Sequence, residues 1–239
     1  MDRTDPSGYA SFSAGQLTVI AIAGIVAVMA TTALGFFLVN RRFRQGSESQ
    51  IVVDHQPVIV DGSGWDYSIA QNAIETAAGF WSSQANISVM TRPIVSLSGC
   101  DGAGSCILPS TLNKVPSAAA IRAKLAEKGA NAKHLTVFVG SIINPGATYS
   151  VDGYTDSANG ISYIPSSANS FKQTVFWFRW SPAGQVIAHE WGHSFIGPGH
   201  VSYPNLMQDT PAFLPIFFNQ SAITDAQRVR AREGALRFR

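Results

Sequence analysis

Charged side chains are few: Asp, Glu, Lys and Arg make up 13% of the 239 residues, and 17 basic groups against 15 acidic ones leave a formal net charge of +2. Nothing in so balanced a composition points to nucleic acid as a partner, because phosphate binding is built on clustered positive charge. Arg228, Arg230, Arg232, Arg237 and Arg239 do gather near the C-terminus, where they read as a solvated helix face and tail rather than a binding patch. Cysteine is nearly absent. Cys100 and Cys106 are the only two. They bracket the loop DGAG as a small disulfide in an oxidising compartment would, with two unpaired thiols as the alternative. No histidine lies near them in the sequence, which argues against a second metal site. Internal repeats, low-complexity blocks and a recognisable propeptide cysteine are also missing.

One stretch lacks charge altogether. From Leu17 to Val39 the chain is dominated by Ile, Val, Ala, Leu and Phe, enough to cross a bilayer as a helix of about 20 residues. No clear small-residue cleavage site follows, only Arg41, Arg42 and Arg44, so a retained anchor fits better than a removed leader. The expected organisation is an N-terminal tail (1–16), a transmembrane helix (17–39), a juxtamembrane linker (40–50) and one domain (51–239), whose roughly 190 residues suit a substantial core. Orientation is contested within the sequence. The three arginines place the domain in the cytoplasm by the positive-inside rule, whereas the cysteine pair and the low charge place it outside. A single-pass protein with an extracytoplasmic domain is the expectation.

The densest concentration of chemistry is the run HEWGHSFIGPGH, His189 to His200. On a helix His189 and His193 stand four residues apart and project from one face, so that two ring nitrogens can reach one metal. Zinc takes neutral imidazoles at about 2 Å and, in a catalytic site, keeps one of its four positions for water. Glu190, one step round the helix, is the candidate general base for that water. Ser181 and Pro182 read as N-cap and first helical residue, and Gly197, Pro198 and Gly199 as the stop, which predicts a helix over 182–196. Ile187, Trp191 and Phe195 form its apolar stripe, and the histidines lie on a neighbouring stripe toward a cleft.

This run resembles the metzincin clan of zinc peptidases, whose pattern is HExxHxxGxxH followed by a methionine-containing turn. His189, Glu190 and His193 match its first three functional positions, Gly197 its glycine and His200 its third ligand. One extra residue separates His193 from Gly197. The segment from Pro204 to Gln208 resembles the Met-turn, with Met207 as an apolar floor beneath the ligands, although methionine also serves as an adaptable core filler. The resemblance implies zinc held by His189, His193 and His200, Glu190 as base and a peptide or protein substrate. Should His200 fall out of reach, Asp209 is a substitute third group. Gly160 to Pro165 resembles the clan's substrate-pairing edge strand, with an ordinary edge strand as the equal alternative. The helix from Ile223 to Leu236, opened by a Thr224/Gln227 capping box, resembles its closing helix.

Elsewhere the pattern predicts strands at Ile51–Val60, Ile87–Leu97 (interrupted by Pro93), Leu135–Val139 and Thr174–Trp180. It predicts helices at Asp66–Gln84, with Ile69, Ile74, Ala77 and Trp81 inward, and Ser117–Lys128. Strands alternating with helices imply an α/β (α+β) domain: a mixed sheet, an active-site helix and an irregular C-terminal part carrying His200 and Met207. His55 and His134 read as surface or satisfied structural histidines, and Tyr203 as a packed loop residue. Two functions stand side by side. The first is a membrane-anchored zinc endopeptidase, and the second is a catalytically silent binding or assembly module that keeps the same fold.

Overall fold

Strand β1 (Ile51–Val60) is the axis of the domain, and its residues point alternately to two separate cores. The computed structural model describes residues 48–100, 106, 108–143, 153–169, 174–175, 178–179, 182–201, 205–207 and 223–239. The expected transmembrane segment Leu17–Val39 lies outside these residues, as do Ser181, Tyr203 and Asp209. Among the described residues no helix is long and apolar enough to cross a membrane.

On one side β1 pairs in parallel with β2 (Ile87–Thr91) and then β3 (Val95–Leu97); on the other it pairs in parallel with β5 (His134–Val139). The predicted interruption at Pro93 is the gap between β2 and β3, and it falls opposite Gln56 and Pro57. A proline has no N–H for the ladder. Gln56 fills the gap with its side chain, donating from Nε2 to Pro93 O at 2.6 Å. Beyond β5 lies β8 (Ile161–Pro165), parallel, and then β7 (Tyr154–Asp156), antiparallel. The sheet order is therefore β2-β1-β5-β8-β7, mostly parallel with an antiparallel margin, as the mixed α/β expectation required. A short parallel pair, β4 (Thr111–Leu112) with β6 (Ser141–Ile142), stands apart from it.

Two expectations are corrected by this topology. Gly160–Pro165 is not an edge: Ile161–Pro165 is wholly buried between β5 and β7, and among the described residues the outermost strand on that side is β7. An apolar run of this length cannot reveal by itself which strand lies outermost. The predicted strand Thr174–Trp180 is two short antiparallel strands, β9 (Thr174–Val175) and β10 (Phe178–Arg179).

Helix α1 (Tyr67–Ala85) begins where Asp66 accepts from Ser68 N at 2.8 Å and Ile69 N at 3.3 Å, and stops at Asn86 in the left-handed region. Ala70, Ala73, Ile74, Ala77, Trp81 and Ala85 face inward, toward α3 (Pro182–Phe195) and α4 (Asp225–Ala235) on one side of the sheet. Helix α2 (Ala118–Glu127) covers the opposite face with Ile121 and Leu125, against Leu135, Val137 and Val139. The result is three layers.

His55 and His134 are not surface residues. They are register partners on β1 and β5, fully buried, with ring centroids 5.4 Å apart and Trp191 of α3 packed on both. Trp191 Nε1 donates to Thr136 Oγ1 (2.8 Å), whose own proton can pass on to His55 Nε2 (2.9 Å). Among the described residues neither ring nitrogen of His134 has a hydrogen-bond partner. Burial lowers His55 to about 3 and, with His55 and Arg122 adding, holds His134 well below its ordinary 6.5. Both rings are neutral in the folded state, while an unfolded chain binds protons at them from about pH 6.5 downward. Their contribution is therefore complete above pH 6.5 and is lost as the pH falls toward 3. Denaturant midpoints of the metal-free protein should drop from pH 7 to pH 4, and His134→Leu should flatten that slope; an equally steep slope in the variant would show that His134 is not held neutral.

Candidate metal centre

Helix α3 carries the motif because its other side is committed to the core. Ile187, Trp191 and Phe195 are buried to within 1%, which turns His189 and His193 to a half-buried neighbouring face. The helix ends at Phe195, one residue short of the predicted stop, with Ile196 N donating to Gly192 O at 2.7 Å. Gly197 (φ +113°) and Gly199 (φ +119°) then reverse the chain in conformations that side-chain-bearing residues rarely adopt. The extra residue before Gly197 is thus accommodated at and beyond the helix end, and the reversal carries His200 back toward the other two rings.

The ligating atoms of His189, His193 and His200 all lie within 4.8 Å of one another, and this group could hold a metal ion. His189 Nδ1 is 2.6 Å from Leu206 O, and a carbonyl only accepts, so the proton sits on Nδ1 and Nε2 offers its lone pair. That Nε2 is 3.1 Å from His193 Nε2. Two imidazoles on a tetrahedral zinc at about 2.05 Å place their nitrogens roughly 3.3 Å apart, so the observed pair fits. His200 is exposed and its ring centroid stands 5.3 Å from His189 and 5.0 Å from His193, the loosest arm of the three. Burial lowers His193 to about 4, with His189 and His200 adding, which keeps it neutral as metal ligation requires.

Glu190 is 6% exposed and burial pushes it up to about 7, against the opposing pull of a hydrogen bond from Thr155. A carboxylate near 7 can both take and release a proton at neutral pH. Met207 is 1% exposed and lies under α3 where Gly192 leaves space; a Cβ there would stand 2.2 Å from its Sδ. Met207 is thus packed against α3 at the position between Trp191 and His193.

Several members of the site were not legible in the motif. The peptide that holds His189 belongs to Leu206, and its turn is pinned by Asn205. Asn205 Oδ1 accepts from Met207 N (2.9 Å) and from Gln227 Nε2 (3.2 Å), while its Nδ2 donates to Gln227 Oε1 (2.8 Å). Gln227 is the capping-box residue of α4, where Thr224 Oγ1 accepts from Gln227 N and Gln227 Oε1 from Thr224 N. The capping box was visible in sequence, but its second role was not. The arginine cluster is likewise partly structural. Arg232 donates to Ala85 O and Ser49 O, and Arg237 to Ser194 O at the end of α3.

No model of a known protein family matches the sequence, and no curated protein matches it. Among solved structures the fold is similar to a zinc-dependent peptidase and to archaemetzincins. The archaemetzincin of Methanopyrus kandleri is 13% identical, with a TM-score of 0.48 over 76% of this chain and 94% of that one. The zinc-dependent peptidase of Methanocorpusculum labreanum is 15% identical (TM-score 0.45, 74% and 99%), and the malonate complex of archaemetzincin from Archaeoglobus fulgidus is 14% identical (0.44, 75% and 99%).

Partners behind a metal-ligating histidine commonly govern metal affinity by about 10- to 100-fold. Gln227→Ala should accordingly weaken zinc binding by a factor in that range, measured by competition with a chromophoric chelator. An unchanged affinity would show that Asn205 and Leu206 hold His189 without help from α4.

Proposed function

We propose that this chain is a zinc-dependent endopeptidase anchored in a membrane by its N-terminal segment. The observation that carries the reading is the convergence of His189 Nε2 and His193 Nε2 at 3.1 Å, with His200 closing the group and Glu190 buried beside it. Zinc held by the three imidazoles would supply a Lewis acid for the scissile carbonyl and acidify a water molecule. Glu190, raised to about 7, would accept the proton of the attacking water and return it to the leaving amine. Leu206 O would orient His189 as the first ligand, and His200, on its glycine reversal, would complete the set. A binding or assembly module without turnover has less support, because a metal kept only for structure needs no buried carboxylate beside it.

The edge strand beside Glu190 is β7, so an extended substrate would add its backbone along Tyr154–Asp156 rather than along Gly160–Pro165. Anchoring is supported by the uncharged run Leu17–Val39. The disulfide joining Cys100 and Cys106 supports a domain facing an oxidising compartment; protease accessibility of the domain in intact cells measures this directly.

Glu190→Gln should retain one zinc per chain by elemental analysis while losing cleavage of a quenched-fluorescent peptide library. Full activity in that variant would sink the mechanism, and a zinc-loaded wild type that cleaves nothing would favour the silent module. His200→Ala should lower zinc affinity strongly; an unchanged affinity would pass the third position to another group.

A further inference from the structure

Glu190 is held from the side by strand β7. Thr155 Oγ1 lies 2.5 Å from Glu190 Oε2, 3.0 Å from the main-chain oxygen of Glu190 and 3.1 Å from Ser162 Oγ. A hydroxyl carries one proton and two lone pairs. Both Glu190 oxygens only accept when the side chain is ionised, so Thr155 gives its proton to one of them. The shorter, charge-assisted contact to Oε2 takes it. Ser162, fully buried on β8, is then the donor to Thr155. The three groups form a directed chain from Ser162 through Thr155 to Glu190.

The second oxygen has a different surface beneath it. A Cβ on Gly153 would meet Glu190 Oε1 at 2.4 Å and Cδ at 2.7 Å. The end of the Glu190 side chain therefore packs where Gly153 has no Cβ, with Oε2 gripped by Thr155 and Oε1 over the bare backbone of Gly153. Residues two apart on an extended chain face the same way, so one short segment provides both the grip and the space. Among the described residues no hydrogen bond occupies Oε1.

We propose that Thr155 is the positioning residue of the general base: it fixes Glu190 through Oε2, with Gly153 as the open seat, so that Oε1 is the oxygen that takes and returns the proton. This deepens the peptidase reading and rests on it. The proton balance is simple. Oε1 receives a proton from the attacking water and gives it up to the leaving amine, while Oε2 stays an acceptor in both states, so the Thr155 contact survives the whole cycle. A glutamate without this grip keeps its side-chain rotors free, and the oxygen must be brought back into place at each turnover.

The test uses the full-length zinc-loaded chain and one quenched-fluorescent peptide that the wild type cleaves. Thr155→Val removes the hydroxyl at nearly constant volume and should lower kcat by about 10- to 100-fold, with KM and zinc content unchanged. Thr155→Ser should restore most of kcat, and Gly153→Ala should lower it by crowding Oε1. In the metal-free protein, thermal midpoint shifts for Thr155→Val and Glu190→Gln should be non-additive, because the two side chains share one contact. Wild-type kcat in Thr155→Val, or additive midpoint shifts, would overturn the proposal while leaving the peptidase reading intact. A loss that serine does not rescue and that follows zinc or stability would overturn it as a merely structural effect. A wild type that holds zinc but cleaves no peptide of the library overturns the peptidase reading and this inference together.

Discussion

The docking of Trp191 into the sheet is the contact on which the site depends. Its ring lies against His55 and His134, and its Nε1 donates to Thr136 in the middle of β5. Burying an indole of this size against a sheet is worth on the order of 2–3 kcal/mol in apolar area alone, and the hydrogen bond fixes the rotation of the helix about its axis. With α3 locked at Trp191, the positions of His189, Glu190 and His193 follow from helical geometry. The two buried histidines serve as half-polar packing rather than ligands, and their neutrality is a condition of the contact. A charge placed there would be desolvated without a partner.

The C-terminal part converts that helix into a site. Met207 fits beneath Gly192, Leu206 offers its carbonyl to His189, and Asn205 ties both to Gln227 at the start of α4. Arg237, just past α4, donates to Ser194 O at the other end of α3. The C-terminal segment thus supports α3 at two points, through the Asn205–Gln227 amide pair behind the turn that meets His189 and through the Arg237 guanidinium on Ser194 O. A histidine held in this way has a chosen tautomer before any ion arrives.

How much was legible differs between the levels of structure. Helices were read well, because capping residues and 3.6-residue periodicity are local: Ser117 and Thr224 cap as their sequence contexts imply, while Asp66, read as the first residue of its helix, is its N-cap. The longer strand segments were found as well, including the break at Pro93, while β4, β6 and β7 were not. Nor was the order of the strands. Ile161–Pro165 is apolar on both faces because it lies inside the sheet, while the polar and short Tyr154–Asp156 is the edge that meets Glu190. Short strands of mixed character leave little periodic signal, and Thr155 carried none that would mark it as a partner of a residue 35 positions away.

By itself the sequence determined the chemistry available: three imidazoles and a carboxylate at helical and turn spacing, a methionine after them, and an uncharged run near the N-terminus. Those statements need only local geometry, since residues four apart on a helix share a face wherever the helix lies. Tertiary structure alone decided which groups serve them. That Leu206 sets the tautomer of His189, that Gln227 holds Leu206 in place, and that Thr155 and Gly153 flank Glu190 all depend on segments distant in the chain being brought together by the sheet order and the α3–α4 packing. Contacts of that kind leave no periodic mark in the sequence, because the burial that creates them belongs to the folded whole.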